Sequence, residues 1–574
     1  MGVKIAKSQR ASRALASSAG VLSVTLLAGG LFAGAQFGGD GGRQDSSVFL
    51  PGNLVLSRSV YDNNPKNVTV GEVLPPGCGG TSGGCSAASG APDNGTYPYV
   101  FNDVLYDASF GITSKIYLDQ ITPFGWLINS VEVPNSLEPG VSKAGNQLVT
   151  SFSSKSELAL NLSRDGKYLT FMGYVAPVNT IDVSNSNTPD AVDGTNPVGE
   201  NFYRAVATID RSGRFQFTET NAYSGNNGRA AIWNNIDGAN FFYTVGNAGN
   251  GSNPQPSGVV LGAGAQIIDP SNEPESKQAP GSPTPVASFS VTELPKTKAD
   301  KIGKDDNFRG LTLFDNVLYF SKGSGSNGVN TVYFVDTTGK ACPNGVGLPA
   351  TGAGLPATPL TPPSDPSTDG LPNNMCILSG FPAVANKNQT TVTAFPFGIW
   401  FANATTLYVA DEGDGYTGGT DLYTHAAAQT TAGLQKWVFN ATTKTWDLAY
   451  TLTDGLKLGT PYTVHGYPTG TNSGTGLPWS PATDGLRNIT GHVNPDGTVT
   501  IWAITSTVSG GGDTGADPNK LVAIIDKLDN TTASSAAHEQ FVTLREAGFA
   551  EVLRGISFTP GTDVSSNGGH GWGW

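Results

Sequence analysis

The sequence is short of the residues that bind metals, nucleic acids and membranes. Four cysteines, five histidines and three methionines are spread over 574 residues. With no CxxC pair and no histidine cluster, a structural zinc site has no ligand set. Charged residues make up only 14%, and 46 acidic side chains outnumber 33 basic ones for a net charge of −13. That balance excludes the broad basic face that nucleic acid needs, and it argues equally against an anionic membrane surface. Beyond Ala35 no apolar run is long enough to cross a bilayer, and no stretch keeps a helical period. Nucleophile motifs are missing too. The string Gly80-Thr81-Ser82-Gly83-Gly84 fits G-x-S-x-G, yet it lies in a Gly/Ser stretch without the strand and helix an elbow requires.

What the chain has in quantity is glycine, 75 residues, which suits many turns. Between the turns run short alternating segments of strand type, and one pattern recurs. Asp306-Asn307-Phe308-Arg309-Gly310-Leu311-Thr312-Leu313-Phe314 returns as Asp484-Gly485-Leu486-Arg487-Asn488-Ile489-Thr490-Gly491 and as Glu551-Val552-Leu553-Arg554-Gly555-Ile556-Ser557-Phe558. A looser copy is Asn226-Asn227-Gly228-Arg229-Ala230-Ala231-Ile232-Trp233. Each is a polar residue, two spacers, an arginine and an alternating run. Two further units depart from the pattern, with Glu157 and Gly398 in the arginine slot.

Self-similarity at long period, built from short strands, predicts an all-β fold: a β-propeller of four-stranded blades. The unit starts are Glu157, Arg229, Arg309, Gly398, Arg487 and Arg554. The last is followed by one strand only, while three strands near residues 53–57, 114–118 and 126–133 precede the first start. If the N-terminal strands join the C-terminal one, the ring closes and few strand edges stay open. Six blades follow, with seven as the alternative count.

The N-terminus reads as an export signal: Lys4, Lys7, Arg10 and Arg13, then an apolar Ala/Leu/Gly stretch, then the small-residue site Ala33-Gly34-Ala35. The expected layout is a signal peptide at 1–35, a flexible linker at 36–51, the propeller at 52–560 and a Gly/Ser/Trp-rich tail at 561–574. The mature chain is expected to be secreted, extracellular or periplasmic, without a membrane span. An even cysteine count in an exported chain predicts disulfides. Of the three pairings allowed, the local ones, Cys78–Cys85 and Cys342–Cys376, are expected, each in a Gly/Pro-rich insertion that looks peripheral.

Leu407-Tyr408-Val409-Ala410-Asp411-Glu412-Gly413-Asp414-Gly415 resembles strands of NHL-type and gluconolactonase-like (SMP-30-like) six-bladed propellers. Gly52-Asn53-Leu54-Val55-Leu56-Ser57-Arg58, Ile116-Tyr117-Leu118-Asp119-Gln120-Ile121-Thr122-Pro123 and Ser163-Arg164-Asp165-Gly166-Lys167-Tyr168-Leu169-Thr170 are similar to a family of exported bacterial propeller proteins. The resemblance covers most of the mature chain. It implies the fold and export, and no assigned activity.

The arginine slots carry the first candidate chemistry. First strands of propeller blades line the channel, so Arg229, Arg309, Arg487 and Arg554, with Glu157, are expected near one mouth, where guanidinium forks suit carboxylate or phosphate. The alternative pairs each arginine with an acid of its own motif: Asp306, Asp484 or Glu551. A second candidate is Ca²⁺ on Asp411, Glu412 and Asp414, hard oxygens on a Gly-rich turn, against a solvated inter-strand turn. No catalytic residue can be named, and no cofactor besides Ca²⁺ is implied. Two function classes remain. One is a non-catalytic binding or scaffold protein for a small anion, a glycan or a protein. The other is a Ca²⁺-dependent hydrolase or lactonase working at the channel mouth.

Overall fold

The computed structural model describes residues 47–69, 73–74, 91–92, 111–138, 147–189, 192, 198–247, 264–270, 307–325, 328–342, 345–356, 375–473, 475–511 and 515–563. Six antiparallel sheets form the six blades of a β-propeller. From the innermost strand outward, blade 1 is Asn161–Leu162, Tyr168–Tyr174, Arg204–Asp210 and Phe215–Thr220. Blade 2 is Gly228–Asn234, Phe241–Gly246 and Ala265–Ile268. The outer strands expected for it at 258–261 and 287–291 lie outside the described residues. Blade 3 is Phe308–Phe314, Val317–Lys322, Thr331–Val335 and Met375–Leu378, with Val346–Gly347 added in parallel at the edge. Blade 4 is Pro396–Asn403, Thr406–Asp411, Gly433–Asn440 and Thr445–Leu452. Blade 5 is Ala482–Val493, Thr498–Val508, Lys520–Lys527 and Val542–Glu546.

Blade 6 closes the ring. Its innermost strand is the C-terminal Glu551–Phe558, and the N-terminal Leu54–Val60, Thr113–Ile121 and Leu127–Glu132 complete it. The clasp is antiparallel, with Leu54 opposite Phe558 and Val60 opposite Glu551. Arg58 ties it across three strands, reaching Asp119 at 2.8 Å and Glu551 at 2.6 Å.

The inner strands are buried along most of their length because neighbouring blades pack against them. Phe308, Leu311 and Leu313 of blade 3 are buried, as are Leu553, Ile556 and Phe558 of blade 6. Each such side chain stabilises the fold by about 1.5–3 kcal/mol relative to exposure. The outermost strand Leu127–Glu132, covered on fewer sides, has no fully buried residue.

The glycine after Arg309 and after Arg554 has a steric cause. A Cβ on Gly310 would sit 2.1 Å from the Phe397 carbonyl oxygen of blade 4, and one on Gly555 2.2 Å from the Leu158 carbonyl oxygen of blade 1. Serine bridges fasten these contacts. The Gly555 amide donates to Ser57 Oγ at 2.7 Å, and Ser57 Oγ donates to the Leu158 carbonyl at 2.8 Å. Ser321 plays the same part between Gly310 and Phe397.

Cys342 and Cys376 form the expected disulfide. The bridge is not peripheral: both cysteines are buried in the apolar core around blade 3, and Cys376 lies on its fourth strand. Cys78 and Cys85 lie outside the described residues, as do the signal-like segment and most of the C-terminal tail. Among the described residues the departures from β structure are a six-residue α-helix, Leu422–Ala427, in a loop of blade 4, and two single 3-10 turns at Val183–Asn185 and Asn386–Asn388. Among the described residues no helix is long and apolar enough to cross a membrane.

Candidate functional site

The slots where arginine recurs are defined structurally by a carbonyl that faces the preceding blade. The Ala159 amide donates to the Arg229 carbonyl at 3.3 Å, and Asn488 Nδ2 donates to the Arg554 carbonyl at 2.8 Å. A Cβ on Gly398 would lie 2.6 Å from the Arg487 carbonyl, just as Gly310 and Gly555 crowd Phe397 and Leu158. The slot residues are therefore Leu158, Arg229, Arg309, Phe397, Arg487 and Arg554. This corrects the sequence alignment by one residue in two blades. Leu158, not Glu157, occupies the slot of blade 1, and Phe397, not Gly398, that of blade 4.

Between blades 6 and 1 the chain does not enter the inner strand directly. Residues 152–157 reach several other blades first. Arg554 of blade 6 donates through Nη1 and Nη2 to the carbonyls of Ser154 and Phe152. Arg309 of blade 3 donates to Ser156 Oγ and to Ser324 Oγ, and its guanidinium lies 5.6 Å from the Phe397 ring. Asn227, before the inner strand of blade 2, donates to Ser154 Oγ at 3.0 Å. Lys155 pairs with Glu412 of blade 4 at 3.1 Å. The segment is a plug held by blades 2, 3, 4 and 6.

Glu157, the last residue of the plug, is fully buried. Its carboxylate accepts from Thr150 Oγ1 at 2.6 Å, the Ser151 amide at 3.0 Å, Asn227 Nδ2 at 3.3 Å and the Tyr174 hydroxyl. Burial and the Glu157 carboxylate push the Tyr174 phenol well up. Arg229 bonds Asn227 Oδ1 at 3.1 Å, the Phe308 carbonyl at 2.7 Å and Asn307 Oδ1, joining blade 2 to blade 3. Arg487 reaches Glu412 through Nε at 3.2 Å.

Charge is unevenly matched here. Burial pushes Glu412 up, but Lys155, Arg309 and Arg487 overrule it and hold it at about 2. Burial, with Arg309 beside it, drives Arg229 well down. Burial and the neighbouring Arg487 outweigh Glu412 and lower Arg309. Burial, with Arg309 and Arg487 nearby, brings Lys155 down to about 8 although Glu412 opposes it. Four cations, Lys155, Arg229, Arg309 and Arg487, thus lie around the carboxylates of Glu157 and Glu412, and Arg487 also acts on the buried carboxyl of Asp517. Among the described residues, both terminal nitrogens of Arg487, Nη2 of Arg229 and Nε of Arg309 have no hydrogen-bond partner. Arg554, turned onto the plug carbonyls, is not one of this charged group.

The acids of the recurring motif do other work. Asp484 accepts from the Gly415 amide at 2.9 Å and from Gln429, and Glu551 accepts from Arg58. Asp306 lies outside the described residues. The pairing of each arginine with its own acid is therefore absent for Arg487 and Arg554.

The three carboxylates proposed for Ca²⁺ diverge. Asp411 turns to the Phe395 amide at 2.8 Å and the Gly413 amide at 3.0 Å, Glu412 to Lys155 and Arg487, and Asp414 to His425 at 2.7 Å. These residues do not fit one cation. Among the described residues the only group with metal-ligand spacing is Asp336, Cys342 and Cys376, whose sulfurs are already bonded to each other. Burial raises Asp411 and Asp484 each to about 7, with the carboxylate of Glu412 adding to both.

Lys155 was missed by sequence reasoning. The available signal was a cation three residues ahead of the one slot filled by Leu158. At the far ends of the inner strands, residues from all six blades, among them Leu160, Ile232, Thr312, Trp400, Thr490 and Phe558, line a cavity of about 60 Å³. Trp437 and Trp446 pack in the core beside blades 3 and 4, and Trp502 in that of blades 5, 6 and 1.

No family model matches the chain, and no curated protein does. Over 76% of its length it is similar to a solved structure described as NanB plus Optactamide, at 8% identity and a TM-score of 0.30, and it spans 64% of that chain. Over 85% of its length it is similar to a polysaccharide lyase, an ulvan lyase bound to a GlcA–Rha3S oligosaccharide, at 11% identity and a TM-score of 0.24, covering 98% of that chain. Likeness this distant carries no chemistry from either protein to this one. The chain is a six-bladed β-propeller.

Proposed function

We propose that this is a non-catalytic binding propeller whose ligand is a small anion, carboxylate or phosphate in class, held at the plugged mouth. One observation carries the reading: four buried or half-buried cations cluster around Glu157 and Glu412, while guanidinium donors stay open in a chain of net charge −13. Buried cations without full compensation are costly, and a ligand with several anionic oxygens removes that cost while filling the open donors. The divergence of Asp411, Glu412 and Asp414 favours this reading over a Ca²⁺-dependent hydrolase. A disulfide and the signal-like N-terminus support a place of action outside the cytoplasm. The test is thermal unfolding with and without phosphate. Phosphate raises the melting temperature of the wild type and leaves that of Arg309→Ala/Arg487→Ala unchanged. Equal shifts in the two proteins would count against the site.

A further inference from the structure

Lys155 differs in its surroundings from the other lysines of the described chain. Lys115, Lys167 and Lys520 each pair with an acid at or near the surface, and Lys436 is fully enclosed against Asp526. Lys155 instead lies in the plug segment with 32% of its side chain exposed, 3.1 Å from a carboxylate that Arg487 also contacts. One carboxylate among three cations leaves the ammonium under-compensated, and the open guanidinium donors lie around it. This is the setting that turns a lysine from a point charge into a nucleophile: desolvation beside other cations, with a carboxylate in reach.

We infer that Lys155 forms an imine with a carbonyl compound that also carries a carboxylate or phosphate, 2-oxo acids being the simplest such class. The inference rests on the anion reading above, since the guanidinium groups hold the anionic end while Nζ meets the carbonyl carbon. The ammonium proton leaves to solvent, while the Glu412 carboxylate, held ionised by its cations, keeps Nζ in place across the 3.1 Å contact. The free amine pair forms the C–N bond as the C=O π pair moves to oxygen, and a proton passes from nitrogen to oxygen through solvent to give a carbinolamine. A proton from solvent lets the hydroxyl leave as water, and the nitrogen pair closes the C=N bond. Amine and carbonyl become imine and water, and nothing is oxidised or reduced. The lowering of Lys155 to about 8 enlarges the free-amine fraction at neutral pH.

The experiment treats the full-length protein with glyoxylate at pH ~7.5, traps imines with cyanoborohydride and maps modified peptides by mass spectrometry. Lys155 is expected to be modified about tenfold or more faster than Lys167 or Lys444, because the guanidinium groups hold the anionic end of glyoxylate beside Nζ. Phosphate and Arg487→Ala should each slow that labelling, and propanal, which has no anionic group, should label Lys155 far less selectively than glyoxylate does. Labelling spread evenly over the lysines overturns the inference, and so does selectivity indifferent to phosphate and to Arg487. The phosphate melting shift separates the two claims. A shift without selective labelling rejects the imine and keeps the anion site, whereas no shift rejects the anion site. In that last case the imine with an anion-bearing carbonyl is rejected with it, and selective labelling of Lys155 by propanal and glyoxylate alike would mark a reactive lysine without an anion site.

Discussion

Arg487 meets Glu412 of the preceding blade, Nε to Oε2 at 3.2 Å, and not Asp484, the acid three residues before it in its own repeat. The recurring acid and the recurring arginine travel together in sequence because they serve one junction from two sides. Asp484 holds the loop that leaves Glu412, and Arg487 holds Glu412 itself.

The two ends of that pair are not equivalent. Glu412→Gln leaves Lys155, Arg309 and Arg487 facing one another without a carboxylate between them. It should cost about 3–5 kcal/mol, the range for breaking a buried pair. Arg487→Met removes a cation from an over-cationic group and should cost clearly less. Urea unfolding of the two variants measures the asymmetry, and equal costs would contradict it.

Stability should fall as pH rises from about 5 to 8. Asp411 and Asp484 are each raised from 3.8 to about 7 in the folded chain. Between those values the folded state binds the proton more tightly than the unfolded one, so the stabilisation is present at the acid end and is lost through neutrality. Glu412, held at about 2, acts oppositely, and its contribution disappears only as pH falls below about 4.5. Melting temperatures in matched buffers at several pH values check the slope, and Asp484→Asn should flatten it.

The plug depends on Arg554. Arg554→Met removes the donors to the Phe152 and Ser154 carbonyls. Leaving those acceptors unmet should cost about 2–4 kcal/mol. Limited proteolysis of the folded variant should show a new cleavage within residues 152–157, absent from the wild type.

Much of the ring was legible in the sequence, and the reason is steric. The motif's small residue marks the point where one blade's backbone touches the next, so its recurrence reports the number of blades and where each begins. Ring closure was legible by strand counting. Two slots were misread by one residue because Leu158 and Phe397 are apolar and do not look like replacements for arginine. The partners of the acids were illegible for a different reason: they lie far along the chain, 75 residues for Glu412 and Arg487 and 55 for Asp484 and Gln429 in the neighbouring unit, and no local spacing encodes them. The plug could not be foreseen either, since residues 152–157 read as the start of a strand.

The burial of Cys342 and Cys376 changes what their bridge is worth. A disulfide closing a separation of 34 residues inside the core of blade 3 should contribute about 2–4 kcal/mol. Cys342→Ala/Cys376→Ala should therefore unfold at visibly lower urea. A variant as stable as the wild type would return the bridge to a peripheral role.

The central claim is that the mouth binds an anion through Arg487, Arg309 and Lys155. Isothermal titration of the purified protein with phosphate at low ionic strength tests it most directly. The account predicts saturable binding at one site per chain, lost in Arg309→Ala/Arg487→Ala and kept in Arg214→Ala, whose arginine pairs with Asp210 far along blade 1. No heat of binding in the wild type, or the same binding in all three proteins, would contradict it.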